Sequence, residues 1–448
     1  MIKRVSLLIL ITLSLFLISC DRDANGNDKK DTLDFDGRKI VYLSNSTGGS
    51  LKPTAGTTVW GDMILSRVKN VQEELNFVFE FEESSNIATY LQGSFASGSI
   101  DVDIVNTEGD KLIPLYSQGV FVDLNTIEAI DLTNEEKYGT PSLRKFAEYK
   151  GGCYGLYGVG NVNWPNVNLH LFDAILINDD LVDYFGAEHP LEFHEKKIWN
   201  FTTFKNYLGG ISRNNPGGDN IYSLNAWYGH YTIGQAALYA NGCPLVVQDS
   251  NGKSSFGYSS SQAANALEWA RGIFSMKDYV TTDGEEGDFA GGKSTLFLGH
   301  SAYFFSQGEN SIQKSLKNVS FIFFPYGPDV EYGSICTSYY DTPFSTSLVK
   351  TGDEQETGFM LDYLLEPLYG DEYQAYMKDY FFPDYNNSYE LYMNEVKNAS
   401  YLYSAQIQNV QTPILDAIID VTKGEKSVTE AVGAITDMAN AEIDRQFN

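Results

Sequence analysis

Between residues 38 and 105 strand and helix signals alternate, and this restricts the fold more than any other feature of the sequence. Residues Lys39 to Ser44 read as a strand, followed by a polar, glycine-rich loop over 45–58. Ile64, Leu65, Val68, Val71 and Leu75 then fall on one face of a helix. Phe77 to Phe81 is a second strand. Ser84 or Ser85 is placed to cap a helix carrying Ile87, Tyr90, Leu91 and Phe95. Val102 to Val105 is a third, short apolar strand. Strands separated by helices in this order pair in parallel, and a parallel sheet needs helices on both faces.

The alternation resumes downstream. Ala174 to Ile177 and Val319 to Phe324 read as strands, and Phe201 to Leu208 and Ala263 to Phe274 as helices. Thr412 and Pro413 look like an N-cap with proline at the first helical position. Ile414, Leu415, Ile418 and Ile419 share the face of that helix, and Gly424 ends it. Ser427 and Glu430 have capping-box spacing for a last helix with Val428, Val432, Ile435 and Ala439 on one face. The tyrosine-dense stretch from Asp362 to Tyr403 is helical only in part. No internal repeat is present.

The N-terminus has a different character. Lys3 and Arg4 precede an almost wholly apolar run from Val5 to Ile18, and Ser19-Cys20 ends it. A basic start, a run of this length and a small residue before the cut describe a secretory signal peptide over 1–19. The run is short for a membrane span of about 20 residues. Residues 17–20 also resemble the bacterial lipobox, which implies that Cys20 is acylated and becomes the first mature residue. Residues 20–37 are rich in Asp, Asn, Lys and Gly and read as a flexible tether. No later stretch is apolar for long enough to span a membrane.

The formal net charge is −28, and cleavage would remove Lys3 and Arg4 and leave −30. Such a charge repels nucleic acid and anionic lipid headgroups. Besides Cys20 there are Cys153, Cys243 and Cys336, an odd set in which at least one thiol stays unpaired. The sequence leaves a Cys153–Cys243 disulfide open. No cysteine or histidine spacing argues for zinc, and no metal or cofactor is expected.

Several phrases, in order, resemble the extracellular solute-binding proteins of bacterial sugar importers, the maltose-binding-protein-like family. They are Asp101 to Val105, Gly119 to Leu124, Gly152 to Leu156, Leu176 to Leu181, Trp199 to Phe204 and Phe289 to Leu296. Cys153 and Tyr157 depart from the family's pattern at the third. The resemblance covers about residues 38–448. It implies an α/β, two-lobed periplasmic-binding-protein-like fold, with a ligand cleft between lobes joined by hinge crossings. One lobe would comprise 38–158 and 327–380, the other 159–326 and 381–448. It also implies capture of a mono- or oligosaccharide by hinge closure, and partners in a membrane permease and its ATPase.

Candidate ligand contacts follow from sugar chemistry. Aromatic faces cover C–H patches, while amides and carboxylates satisfy hydroxyls that are costly to bury alone. Strand ends of open α/β sheets face the cleft. That rule selects Ser44 and Asn45 after the first strand, and Thr107, Glu108 and Asp110 after the third. Asp110 reads equally well as a helix cap. Three loop-like segments combine aromatics with polar groups. They supply Asn161, Asn163 and Trp164, then Asn225, Trp227, Tyr228 and His230, then Ser301 and Tyr303.

Other functions remain in view. The acidic charge also suits a cationic solute such as a polyamine, and a surface glycan-binding or glycan-hydrolysing lipoprotein is a further class. Among 59 acidic residues no spacing singles out the carboxylate pair of a glycosidase. Gly-x-Ser-x-Gly and His-Glu-x-x-His are absent. Gly287 to Ser294 satisfies the phosphate-loop pattern literally, but an acidic turn precedes it where an apolar strand belongs. A binding protein without catalytic residues is the expectation.

The lipobox generates a direct test. Cys20→Ala removes the acyl chains and leaves the fold untouched, so the protein is expected to move from membranes to the soluble fraction. Retention on membranes would contradict the lipid anchor.

Overall fold

The computed structural model describes residues 33–45, 51–56, 59–157, 171–215, 218, 220–281, 286–305, 311–334, 337–339, 344–366, 378, 382, 386–401 and 407–448. Cys20 and Cys336 lie outside them. The chain opens with β1 (Arg38–Ser44), α1 (Val59–Leu75), β2 (Phe77–Glu83), α2 (Ile87–Ser97), β3 (Ile104–Glu108) and α3 (Gly109–Tyr116). β2 and β3 both run parallel to β1, as the alternation predicts. The face of α1 is buried at Ile64, Val68, Val71 and Leu75.

Two local expectations are corrected. The N-cap of α2 is Asn86, whose side chain accepts from the Thr89 N–H at 3.3 Å. Ser84 instead turns the chain into that cap, its hydroxyl accepting from the Asn86 N–H at 3.2 Å. The third strand starts at Ile104, not Val102. The Asp103 carboxylate takes the Val41 N–H at 2.8 Å and pairs with Arg38 at 2.9 Å. A side chain thus occupies the place of a ladder bond, and regular pairing begins one residue later.

After β4 (Leu156–Tyr157) the chain passes to a second sheet. Its parts are β5 (Ala174–Asn178), α4 (Phe201–Leu208), β6 (Tyr222–Ala226), α5 (His230–Ala240), α6 (Ser261–Phe274), β7 (Val280–Thr281), α7 (Glu286–Ala290), β8 (Ser294–Gly299) and β9 (Val319–Phe323). The chain then runs through β10 (Ser338–Tyr339) to β11 (Phe344–Leu348) and α8 (Glu354–Leu364), and on to α9 (Asn386–Asn398), β12 (Ser400–Tyr401), α10 (Gln408–Lys423) and α11 (Val428–Phe447). The strand order is β2-β1-β3-β11-β4 in the first sheet and β7-β6-β8-β5-β9 in the second. Each sheet carries its own helices, which makes two α/β lobes. β11 and α8 return to the first lobe, and α9 to α11 pack on the second.

Caps read from the sequence form as expected at the C-terminus. Ser427 and Glu430 make a reciprocal capping box, and Gly424 closes α10 with a left-handed φ of 78°. Pro413 is a correction. It sits inside α10, which starts a turn earlier at Gln408. Proline there removes one helical hydrogen bond. The added turn buries Ile407 and Val410 in the second lobe's core, which offsets that loss.

Cys153 and Cys243 are free, buried thiols in the cores of different lobes, so they form no disulfide. Burial pushes the Cys153 thiol up to about 11. A third apolar cluster is shared between the sheets. It contains Leu43 and Val105 from the first and Phe297 and Phe321 from the second.

The crossings are tied together by backbone pairing. The Phe172 N–H donates to the Ser338 carbonyl at 2.9 Å, Leu171 bridges Tyr339, and β10 runs parallel to β12. The Ser142 hydroxyl of the first lobe donates to the Ala399 carbonyl at 2.6 Å.

Helix packing in the second lobe yields a stability prediction. α5 crosses α10 at Gly234, where an added Cβ would lie 2.4 Å from Ile418 Cγ2 and 3.2 Å from Thr422 Cγ2. Gly234→Ala gains about 1 kcal/mol of helix propensity. Overpacking costs about 1–3 kcal/mol. Urea unfolding is expected to show net destabilisation, and a more stable variant would place the crossing elsewhere.

Candidate functional site

β6 and β8 are parallel neighbours, with Ala226 opposite Leu298. Their C-terminal ends therefore open on one edge of the second sheet. The Trp227 N–H donates to the Leu298 carbonyl at 2.9 Å, which carries the register one residue past the strand. The chain then turns through left-handed conformations at Tyr228 (φ 50°) and Gly229 (φ 43°) into α5. β8 ends at Gly299 and is followed by His300 and Tyr303. An added Cβ at Gly299 would meet the Phe297 ring at 3.0 Å and the Tyr303 ring at 3.1 Å. Glycine there lets Tyr303 close down on the strand end.

These turns assemble an aromatic group. The Trp227 ring is 4.4 Å from Tyr228, 4.9 Å from His300 and 6.3 Å from Tyr303, all edge-on. His300 and Tyr303 stack at 4.3 Å. Trp227 and Tyr303 are half-buried, and Tyr228 is 72% exposed. Beneath them Trp227 packs on Phe172 of the first crossing at 6.3 Å, and Phe172 lies against Tyr239. The result is a set of partly open rings on a buried base, at the strand end next to the crossings. Strand ends and domain junctions are where α/β proteins place ligands.

The other selected residues divide. Asn225 is fully buried within β6. Ser301 is fully buried too, and its hydroxyl accepts from the Leu171 N–H at 3.1 Å, so it anchors the crossing. His230 belongs elsewhere. Its ring stacks on Phe274 at 3.9 Å and faces a separate groove of about 680 Å³ with Arg271, Lys277 and Lys423. The N-terminal turn of α5 rotates it away from the Trp227 group. In the first lobe, Ser44 and Thr107 are buried at their strand ends, and Asn45 and Glu108 are half-buried. Asp110 lies in the first turn of α3, and the helix has no side-chain cap. Lys111 engages both carboxylates, at 3.0 Å from Asp110 and 3.9 Å from Glu108. Asn161, Asn163 and Trp164 lie outside the described residues. His300 and Phe172 were not selected. The signal for His300 was its position beside Tyr303 after a strand, and none marked Phe172.

A serine, a histidine and an aspartate do meet. His189 Nε2 lies 3.0 Å from both Asp179 and the Ser320 hydroxyl, and Ser320 donates to Asp179 at 2.7 Å. In a hydrolytic triad the serine and the acid sit on opposite ring nitrogens. Here His189 Nδ1 accepts the Leu191 N–H at 3.2 Å as a helix cap, and Nε2 serves both partners. Ser320 is buried. This arrangement braces a helix and offers no relay. The phosphate-loop match also fails, since Gly287 lies in α7 and Ser294 begins a strand. Lys293 pairs with Asp288 at 2.8 Å.

No known family profile matches the sequence, and neither does any curated protein. Solved structures do match in fold. The cyclic alpha-maltosyl-1,6-maltose binding protein of Arthrobacter globiformis aligns with a TM-score of 0.66 at 14% identity, over 91% of this chain and 99% of that one. The fold is that of the solute-binding proteins. The GacH receptor of Streptomyces glaucescens, solved unliganded and with acarbose, aligns at 0.61 and 14% identity over 92% and 99%. UgpB of Mycobacterium tuberculosis, in complex with glycerophosphocholine, aligns at 0.61 and 13% identity over 91% and 98%. The solute-binding fold thus accompanies different ligands, and ligand class has to be argued from side chains.

Proposed function

We propose that this protein is the extracytoplasmic capture subunit of an ATP-driven importer, that it binds a neutral saccharide between its lobes, and that it is not an enzyme. The observation that carries the reading is the Trp227, Tyr228, His300 and Tyr303 group, set at the strand ends beside the crossings. Its rings offer flat apolar faces and polar edges, which suits a sugar ring. The lobes, 38–158 with 327–380 and 159–326 with 381–448, close on the ligand by hinge bending. Glu108, Asp110, Ser44, Asn45 and Thr107 supply polar partners from the first lobe, and Trp164, Asn161 and Asn163 contribute from the first crossing. Membrane permease subunits receive the ligand.

Anchoring through acylated Cys20 and the tether over 20–37 completes the reading. Among the described residues no helix is long and apolar enough to cross a membrane. A polyamine is the second reading, and the Lys111 ammonium beside Glu108 and Asp110 weighs against it.

Calorimetry against a panel of mono- and oligosaccharides tests the site. Burying an aromatic face contributes about 1.5–3 kcal/mol. Trp227→Ala, Tyr228→Ala and Tyr303→Ala are each expected to weaken saccharide binding by about ten- to a hundredfold, and His230→Ala to leave it unchanged. A neutral ligand makes affinity insensitive to moderate salt, whereas screening would weaken a polyamine complex. Wild-type affinity in all three aromatic variants would contradict the site. Salt-sensitive polyamine binding without saccharide binding would contradict the ligand class.

A further inference from the structure

Asp173 is the last residue of the first crossing before β5. It is fully buried, and among the described residues neither carboxyl oxygen has a hydrogen-bond partner. Its backbone is left-handed at φ 68°. Aspartate tolerates that conformation when its side chain bonds the local backbone, and here the side chain makes no such bond. The surroundings keep it in place. Its own carbonyl accepts from the Phe324 N–H at 2.9 Å, and the Thr337 hydroxyl donates to the carbonyl of the preceding Phe172. Leu171 is held by Ser301, and Phe172 by Ser338. Three chain segments thus pin residues 171–173, and the carboxyl cannot reach water unless the crossing moves.

The charged group that acts on this carboxyl is another acid, Glu395 of α9, itself 2% exposed. Tyr258, in the second lobe's core with Cys243, also lies close enough to feel it. Burial, and after it Glu395, raises the Asp173 carboxyl well above the usual carboxylate range. A carboxylate without partner or counter-ion is costly to bury, so the group stays neutral.

Phe172, which carries the Trp227 ring, is bonded to Asp173 along the chain. We propose that Asp173 is a positioning residue for the binding cleft, whose neutral carboxyl makes this arrangement of the crossings, and with it the seat of Trp227, dependent on a bound proton. The effect on ligand affinity rests on the saccharide reading, whereas the effect on lobe arrangement does not. The sign follows from linkage. A carboxyl raised in this arrangement holds its proton where a hydrated one has lost it. The arrangement is therefore favoured most below the ordinary aspartate value of about 3.9, and that advantage is lost as pH rises through the raised value.

The test needs no ligand. Small-angle scattering of the mature chain in a pH series running upward from the ordinary aspartate range should show a larger radius of gyration once Asp173 ionises and draws water into the crossings. Asp173→Asn carries no proton to lose, and its radius should stay constant across the series. Urea unfolding serves as the second measurement. The wild-type unfolding constant should rise with pH by up to about tenfold per unit more than that of Asp173→Asn. Glu395→Gln removes the second acid and should move the transition to lower pH, so it carries the test if Asp173→Asn does not fold. A wild-type radius independent of pH, an Asp173→Asn variant that follows the wild type, or an unshifted transition in Glu395→Gln overturns the proposal.

Discussion

The arrangement depends on the backbone seam where residues 171–173 meet their neighbours. Leu171 exchanges hydrogen bonds with Ser301 on one side and bridges Tyr339 on the other, while Phe172 bonds Ser338. These bonds are short-range, yet they join segments far apart in sequence: a crossing, the end of β8 and the return toward the first lobe. A hinge has to bend at a few residues while its surroundings stay registered. The seam supplies that registration. It also fixes the height of Phe172 under Trp227, so the aromatic group and the crossings share one foundation.

The aromatic group shows how local rules and tertiary position combine. Trp227 and Tyr303 lie far apart in sequence and meet because β6 and β8 are parallel neighbours in register. Gly299 eases the approach, since a Cβ there would crowd the Phe297 and Tyr303 rings at 3.0 and 3.1 Å. Tyr228 takes a left-handed backbone that exposes its ring. Two residues later His230 has turned through the start of α5 and faces a different groove. A polar and aromatic run in the sequence is thus divided by one helical turn into a residue in the aromatic group and a residue outside it.

Much of the framework was legible before any coordinates. The strand–helix alternation specified the parallel pairing of β1, β2 and β3 but not the antiparallel strands β11 and β4 that complete the sheet; the buried face of α1 was legible from the spacing of Ile64, Val68, Val71 and Leu75. Caps were legible when they involved nearby residues, as with Ser427 and Glu430. One was missed where neighbouring polar residues compete for the position: the sequence offers Ser84 or Ser85, and Asn86 takes it. The start of β3 was hidden because Asp103 substitutes a carboxylate for a backbone partner, and no local pattern announces that. At the candidate site the loop-like segments include Trp227, Tyr228 and Tyr303, which meet in one aromatic group, and also Asn225 and Ser301, which are buried, and His230, which lines a different groove. Strand ends point in one direction, while individual side chains alternate or rotate.

What the sequence by itself determined is the class of fold and the order of its elements, since both rest on periodicity or composition within a short window. The tertiary structure decided which strand ends became neighbours, which rings came together and where Cys153 and Cys243 were separated. It also decided that Asp173 is fully buried with no hydrogen-bond partner for its carboxyl among the described residues. These outcomes depend on contacts between segments tens or hundreds of residues apart. Burial and pairing there are set by packing, which no local spacing encodes.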